Sequence, residues 1–467
     1  MTATTTPAPT IAKAPGRVPL LGHVIQLLTR PREFFNGLRD SGDVVTIGLG
    51  PARAYVVNNP ALVHQILTKD VRKLDKGVAY EKSAPFLGDG LLNSSEPTHM
   101  AHRRLLQPAF HHHRIADYSR HMREAVAERT ARWRDGQTLR LDQEIHGYAV
   151  TVVCRALFSS GLGDTVADEV ENSLPVLLEG VKRRIAFPVG WLEKLPTPAN
   201  RRFERARERL GSTLGGVIRE YQRVGGEEGD LMALLLAARA TDDSPAPDEG
   251  TPSGHGHTYR LTDEQIHDEA MALFLGGVET ARDVLSWACH LLAEHPDVQA
   301  ELAAEVDRVL AGGRALGHDV LPELDLTRRV LNEALRLYPP AWLLTRRTLT
   351  DLDLAGHHVP PGQNVLFSLY AIQRDPGIYA RPDAFEPDRW AGAAGAALPR
   401  TSFLPFGAGN RGCIGEPFAW EEMLIFLAAV ARDWTLHPVP GHRIRPARSP
   451  MLSPRDLPMT VRARKHP

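Results

Sequence analysis

Ten residues near the carboxyl end constrain this chain more than any other stretch. Phe406-Gly-Ala-Gly-Asn-Arg-Gly-Cys-Ile-Gly415 sets one cysteine among four glycines, after an irregular approach, Thr401-Ser-Phe-Leu-Pro405. Glycine adopts backbone angles closed to other residues and lets a large flat ligand come close to the main chain, so this pattern presents Cys413 rather than packing it. On composition alone the alternative is a glycine-rich turn around a buried thiol, because a lone cysteine commonly behaves as a small hydrophobe.

A second stretch is equally organised. Thr262-Asp-Glu-Gln265 fits a capping box, in which threonine and glutamine satisfy the first free N–H groups of a helix. Apolar residues then recur three and four apart, from Ile266 and Ala270 through Phe274, Ala281 and Leu285 to Leu292. Met271, Leu275, Val278 and Trp287 lie on other faces, which predicts a helix buried nearly all round and ended before Pro296. At 1.5 Å per residue it would be roughly 45 Å long. Gly276-Gly277-Val278-Glu279-Thr280 interrupts its middle. Paired glycines there cost about 1 kcal/mol each against alanine, and a local widening would free carbonyls near Thr280. Such a weak point suggests function. The other reading is that the glycines admit a neighbouring helix and Thr280 bonds a carbonyl of its own helix.

Elsewhere the pattern is mainly helical with small β-sheets. Residues 1–14, rich in Thr, Pro and Ala, read as a disordered N-terminal segment. Asp43–Leu49 and Ala54–Asn58 read as a hairpin, and a helix follows from Pro60. Val71–Ser95 shows no sustained period, and long irregular segments in compact proteins are often functional. His99–Phe110 is a basic helix running to Pro108. Tyr118–Leu236 is helical with breaks at Gly161–Gly163 and at Phe187–Pro198, the latter a lid or a plain proline-rich connection; Thr241–Gly254 reads as a surface loop. His111-His112-His113 points in three directions, so one metal could hardly take all three. Glu333 and Arg336 share a helix face, Ala341–Arg346 is extended, and a helix starting at Glu416 turns its positive end toward Cys413.

Phe406, Gly409, Arg411, Cys413 and Gly415 complete an F-x-x-G-x-R-x-C-x-G signature that resembles the haem-binding loop of cytochromes P450. Gly277-Val-Glu-Thr280 with its preceding small residue resembles the oxygen-activation motif of that family, and Glu333, Arg336 and Arg389 resemble its structural Glu-Arg-Arg triad. The resemblance runs from about Pro15 onward in the family's order. It implies one P450 domain over residues 15–467, although length alone would suggest two or three domains. Haem b would be bound with Cys413 as the axial iron ligand, Phe406 shielding the sulfur and Arg411 on a propionate. His99, where the family commonly has tryptophan, Arg103, Arg346 (with Arg347 as competitor) and Gly277 complete the cofactor contacts. Thr280 would bond dioxygen or water while Glu279 relays protons. Phe86, Leu87, Phe274, Leu275, Gly276, Trp342, Leu343 and Met451 would line an apolar substrate pocket.

The charge balance is near neutral, 55 Lys and Arg against 56 Asp and Glu, which gives no reason to invoke nucleic acid or an anionic membrane. Three scattered cysteines argue against a disulfide framework, and no apolar run is long enough to span a bilayer. The expectation is a cytoplasmic, monomeric monooxygenase taking O2 and electrons from NAD(P)H through ferredoxin reductase and ferredoxin. Pro339–Arg347, Ala371–Pro376 and Leu195–Arg202 resemble bacterial P450s that oxidise sesquiterpenes in terpenoid antibiotic pathways. A macrolide, polyketide or fatty-acid substrate, a peroxide-driven peroxygenase and a haem sensor are the alternatives.

Overall fold

The computed structural model describes residues 11–77, 80–81, 83–84, 88–158, 160–186, 195–224, 231–238, 260–447 and 451–465. The chain divides into two compact units: Met1–Glu81 with Asn332–Cys413 and Pro450–Leu452, and Lys82–Leu331 with Ile414–Ser449 and Ser453–Pro467.

The first unit is built on a six-stranded sheet. Val44–Leu49 and Ala52–Val57 pair antiparallel with Leu49 opposite Ala52, so Gly50-Pro51 is the turn, and Gly50 supplies the positive φ of +65° that a side chain would resist. The sheet continues through Asn364–Ser368 and Leu343–Thr348 to a short edge strand, Leu74–Lys76. Alternation along the strands sends side chains to two cores. Val44, Tyr55, Val57, Val365 and Phe367 meet Leu62, Val63, Ile66 and Leu67 of the helix Pro60–Leu67. Val45, Ile47, Ala54, Val56 and Leu366 meet Phe35 and Leu38 of the helix Pro31–Leu38. Asn59 caps the first of these helices by accepting from the Ala61 N–H, 2.9 Å away, and Pro60 fits its first turn.

The N-terminal segment is shorter than its composition implies. Ala12–Lys13 is a strand, parallel to Val45–Thr46, and Ala14 is buried with its N–H on the Thr46 carbonyl, because the sheet edge offers hydrogen bonds that outweigh a weak local propensity.

The second unit is helical. Its central helix, Leu141–Leu157, is buried along almost its whole length and packs against Ser160–Ala186, His112–Thr130 and Thr280–Glu294. Tyr148 on it packs tilted against Phe426 and donates to the Glu422 carbonyl at 3.0 Å. The expected break at Gly161–Gly163 lies earlier: helix ends at Leu157 and restarts at Ser160, and the glycines fall inside the new helix. The long helix begins at Asp263 with both arms of its capping box formed, and runs through a five-residue π-turn, Leu275–Glu279, to Glu294. Residues 1–10, Phe86, Leu87, 187–194 of the lid-like break and the 241–254 loop lie outside the described residues.

Candidate active site

Of the three cysteines, Cys154 and Cys289 are buried, with burial pushing the Cys289 thiol up to about 12 and Cys154 higher still, so both stay protonated and inert. Cys413 is exposed. Its N–H donates to the Phe406 carbonyl at 2.8 Å and closes the loop. Gly409, at φ +68°, leaves no room for a side chain: a Cβ there would come within 2.1 Å of the Leu67 carbonyl oxygen. The glycine requirement is therefore backbone packing against the end of the Pro60–Leu67 helix, which fixes the turn that presents the thiol.

Arg411 reaches from this loop to the Asp75 carboxylate at 3.1 Å. Asp75 and Lys76 form the edge strand beside Arg346 and Arg347, with Lys76 paired to Arg346 in register. Arg347 turns outward to Glu81 at 3.1 Å, whereas Arg346 is buried. Among the described residues Arg346 has no ion-pair partner and bonds only the Thr345 carbonyl, 2.8 Å away. Burial, and then the Arg411 charge, hold its guanidinium below the usual arginine range. A buried cation with another beside it is costly unless an anion offsets the charge. Of the two arginines Arg346 is the buried one, and this donor set fits the carboxylates of a haem.

The structure brings Glu333, Arg336 and Arg389 together in the same unit. Arg336 grips Glu333 with two bonds of 2.8 Å, both side chains without exposed surface, and its remaining N–H groups bond the carbonyls of Gln373, Pro382 and Ala384. Arg389 stands 3.5 Å from Glu333, and Trp390, which sequence reasoning did not include, donates its indole N–H to it at 2.9 Å. These contacts tie the Gln373–Trp390 segment to the helix Asp325–Leu337.

In the second unit Thr280 Oγ1 donates to the Gly276 carbonyl at 2.6 Å, across the π-turn. The two glycines differ. A Cβ on Gly277 would meet Val153 of the neighbouring helix at 2.8 Å, so its expected cofactor contact competes with a packing role, while a Cβ on Gly276 would meet nothing within 4 Å. Glu279 is buried and paired with Arg282 at 2.9 Å; Arg282 also bonds Asp283 at 2.7 Å, and Ser453 donates to Asp283 at 2.9 Å. Burial works against the Arg282 charge, but Asp283 and Glu279 together raise its pKa further above the arginine value. His146 sits on the other side, its Nδ1 3.7 Å from Glu279 Oε1. Burial, then Arg282, lowers its pKa to about 4. Arg282 could have been read from its spacing three residues beyond Glu279; no local signal marks His146.

The remaining expectations divide. His99 is buried with Nδ1 3.0 Å from Glu96, and Arg103, half-buried, lies one turn on along the helix Thr98–Leu106. Between them in sequence, His102 forms a fully buried contact with Glu269, whose carboxylate accepts from the Leu91 N–H at 2.9 Å. Phe274 is fully buried against Phe158, and Trp342 is packed between Phe35 and Tyr370. Phe274 is 0% and Trp342 3% exposed. Leu275, Leu343 and Met451 keep partial exposure and Gly276 is exposed.

The sequence matches the Cytochrome P450 family over residues 13–461. It is 42% identical to cyclooctatin synthase of Streptomyces melanosporofaciens over 93% of this chain and 91% of that one. Cyclooctat-9-en-7-ol 5-monooxygenase of the same organism shares 38% identity over 92% and 91%, and pentalenene oxygenase of Streptomyces avermitilis 38% over 97% of each. The crystal structure of the cytochrome P450DA heme domain superposes with a TM-score of 0.83 at 25% identity, covering 97% of this chain and 98% of that one.

Proposed function

This chain belongs to the cytochrome P450 family and is a haem-iron monooxygenase, and on that premise we propose that it oxidises a cyclic terpenoid, an alkene or an alkenol derived from one, with a sesquiterpene as the first case to test. The names of two relatives similar over nine-tenths of their length support this, since they carry the -en-ol and -ene endings of such compounds.

The observation that carries the site reading is the buried Arg346, without an ion-pair partner among the described residues, beside Arg411 and in the same unit as the exposed Cys413. Haem b, when bound, supplies the iron that activates dioxygen for insertion into a C–H bond. Cys413 would ligate it as a thiolate, its loop held by the bond to the Phe406 carbonyl. Arg346 and Arg411 would hold propionates, as would His99 and Arg103. Leu275, Gly276, Leu343 and Met451, with Phe86 and Leu87, would exclude water around an apolar substrate. Thr280 Oγ1 would hold a proton near the reacting oxygen, and Glu279 would pass it one from solvent. Electrons would come from NAD(P)H through ferredoxin reductase and an acidic ferredoxin docking on basic residues near Cys413. The two units would serve as one catalytic domain, working as a monomer in the cytoplasm. Among the described residues no helix is long and apolar enough to cross a membrane.

The test is a titration of the purified holoprotein with cyclic terpene alkenes and alkenols, followed by mass spectrometry of turnovers with ferredoxin, its reductase and NADPH. A high-spin shift and a product heavier by one oxygen are expected. Shifts and products obtained only with fatty acids or macrolides would overturn the terpenoid assignment.

A further inference from the structure

The near-neutral balance of the whole chain hides a local asymmetry. Its first 32 residues carry Lys13, Arg17, Arg30 and Arg32 and no Asp or Glu, the first acidic residue being Glu33. The same stretch holds four of the six exposed large apolar side chains among the described residues: Leu20 at 93%, Leu21 at 47%, Ile25 at 46% and Leu28 at 50% exposed. Leu21, Ile25 and Leu28 stand four and three apart, the spacing of one helix face, at and just before the helix Val24–Thr29. No residue of that short helix is buried, so no core contact of its own explains its apolar side chains.

Leu20 carries the argument further. Its φ of +62° lies in the left-handed region, where a leucine Cβ crowds the next carbonyl, so the turn Pro19–Gly22 holds a large apolar side chain in water at a backbone cost. The turn is locked rather than frayed. Val18 and Gly22 exchange backbone bonds of 2.8 Å in both directions, and the Gly50 N–H of the hairpin turn donates to the Leu21 carbonyl at 3.2 Å. His23 Nδ1 accepts from the Gly48 N–H at 2.9 Å and fixes the turn to the sheet. A strained, rigid turn that projects an unpacked leucine is a preformed contact element.

Around it the charge is of one sign. Lys13, Arg17 and Arg30 are exposed, as is Arg53 just past the hairpin turn, and among the described residues none of the four has an ion-pair partner. We infer that this part of the first unit seats on an anionic lipid bilayer, with Leu20, Leu21, Ile25 and Leu28 entering the interfacial layer and the cations meeting lipid phosphates. A second copy of the chain would cover the leucines but set the same cations against each other. An anionic bilayer offers apolar depth and negative charge at one surface. It is also where an apolar terpenoid accumulates, so the contact brings the enzyme to its substrate; that consequence, unlike the binding itself, rests on the proposed function.

The experiment is co-sedimentation of the full-length holoprotein with vesicles of phosphatidylglycerol and phosphatidylethanolamine, against vesicles of phosphatidylcholine alone. Wild type should bind the anionic vesicles about tenfold or more tightly than the neutral ones, and come off as salt approaches about 1 M, where screening shortens to about 3 Å. Asparagine tolerates the left-handed angle, so Leu20→Asn should fold at least as stably while its vesicle affinity falls about tenfold or more. Leu28→Gln should lose a similar factor, and Arg30→Gln about fivefold with a shallower salt dependence. Without vesicles, all three should oxidise a cyclic terpene alkene at the wild-type rate. Equal affinity for the two vesicle types, or wild-type vesicle binding by Leu20→Asn, would overturn the inference. So would a concentration-dependent dimer that Leu20→Asn abolishes, which would make these leucines an interface between copies. Wild type that binds anionic vesicles yet oxidises no terpenoid would support the lipid surface and sink the proposed substrate, so the two failures are separable.

Discussion

Thr280 donates its hydroxyl to the carbonyl of Gly276, 2.6 Å away, across the one π-turn of the long helix among the described residues. The threonine is thereby oriented by its own helix, yet the bond lies where Gly276 leaves open space. A π-turn weakens the backbone ladder locally, so the hydroxyl can exchange this carbonyl for another acceptor at small cost. Replacing it should therefore affect chemistry more than folding. Thr280→Ala is expected to keep its melting temperature within a few degrees while product formed per NADPH falls about tenfold or more, and Thr280→Ser should restore most of it. Equal coupling in Thr280→Ala and wild type would remove the hydroxyl from the mechanism.

Arg346 gives a prediction with opposite signs in two states. Without haem, its buried guanidinium has no ion-pair partner among the described residues, so Arg346→Leu should leave the apoprotein as stable or more stable. With haem, the variant loses a charge-assisted bond worth about 1.5 to 3 kcal/mol, which lowers haem affinity about tenfold to a hundredfold. Thermal denaturation of the apoprotein and haem transfer to a competing apoprotein measure the two. A loss of stability in both states would mean that Arg346 is merely structural.

The triad should behave differently, as its charges are matched. Glu333 receives Arg336 twice, Trp390, Arg389 and the Glu386 N–H, all within the first unit. Glu333→Ala leaves the fully buried Arg336 uncompensated, and removal of one partner of a buried pair costs about 3 to 5 kcal/mol. Arg336→Lys should fare nearly as badly, because an ammonium cannot make the two-pronged contact and reach the three carbonyls as well. Urea midpoints would show it; Glu333→Ala within 1 kcal/mol of wild type, by the usual range for surface changes, would contradict the account.

What could be read from the chain beforehand follows a physical rule. The Cys413 loop, the capping box at Thr262 and the widened turn before Thr280 are set by residues close in sequence, and their backbone requirements appear as local patterns. The edge strand Leu74–Lys76 was invisible, since three residues carry no period and its partner, Leu343–Thr348, lies far along the chain. The same holds for His146, which meets Glu279 only through packing of two helices. Phe274 and Trp342 show a different limit: an aromatic side chain on an apolar face fits a pocket or a core equally well, and its contacts, with Phe158 and with Phe35, are made to residues far along the chain.

Glu422 supplies a test by pH. It lies fully buried on the helix Glu416–Asp433, nine residues after Cys413, and neither carboxylate oxygen has a hydrogen-bond partner among the described residues. Burial raises its pKa well above the ordinary 4.5, so the folded protein holds a proton that the unfolded chain releases. When the folded state binds more protons, stability falls as pH rises. The penalty is therefore absent below about pH 4.5 and grows above it until the folded pKa is reached. His146, depressed to about 4, acts oppositely: its contribution is intact above its ordinary 6.5 and is lost as pH falls toward 4. Glu422→Met, which fills a similar volume without the ionisable group, should raise the melting temperature more at pH 8 than at pH 5. The wild-type acid loss owed to His146 should persist in that variant. A Glu422→Met stability gain independent of pH would show that the carboxyl is not held protonated.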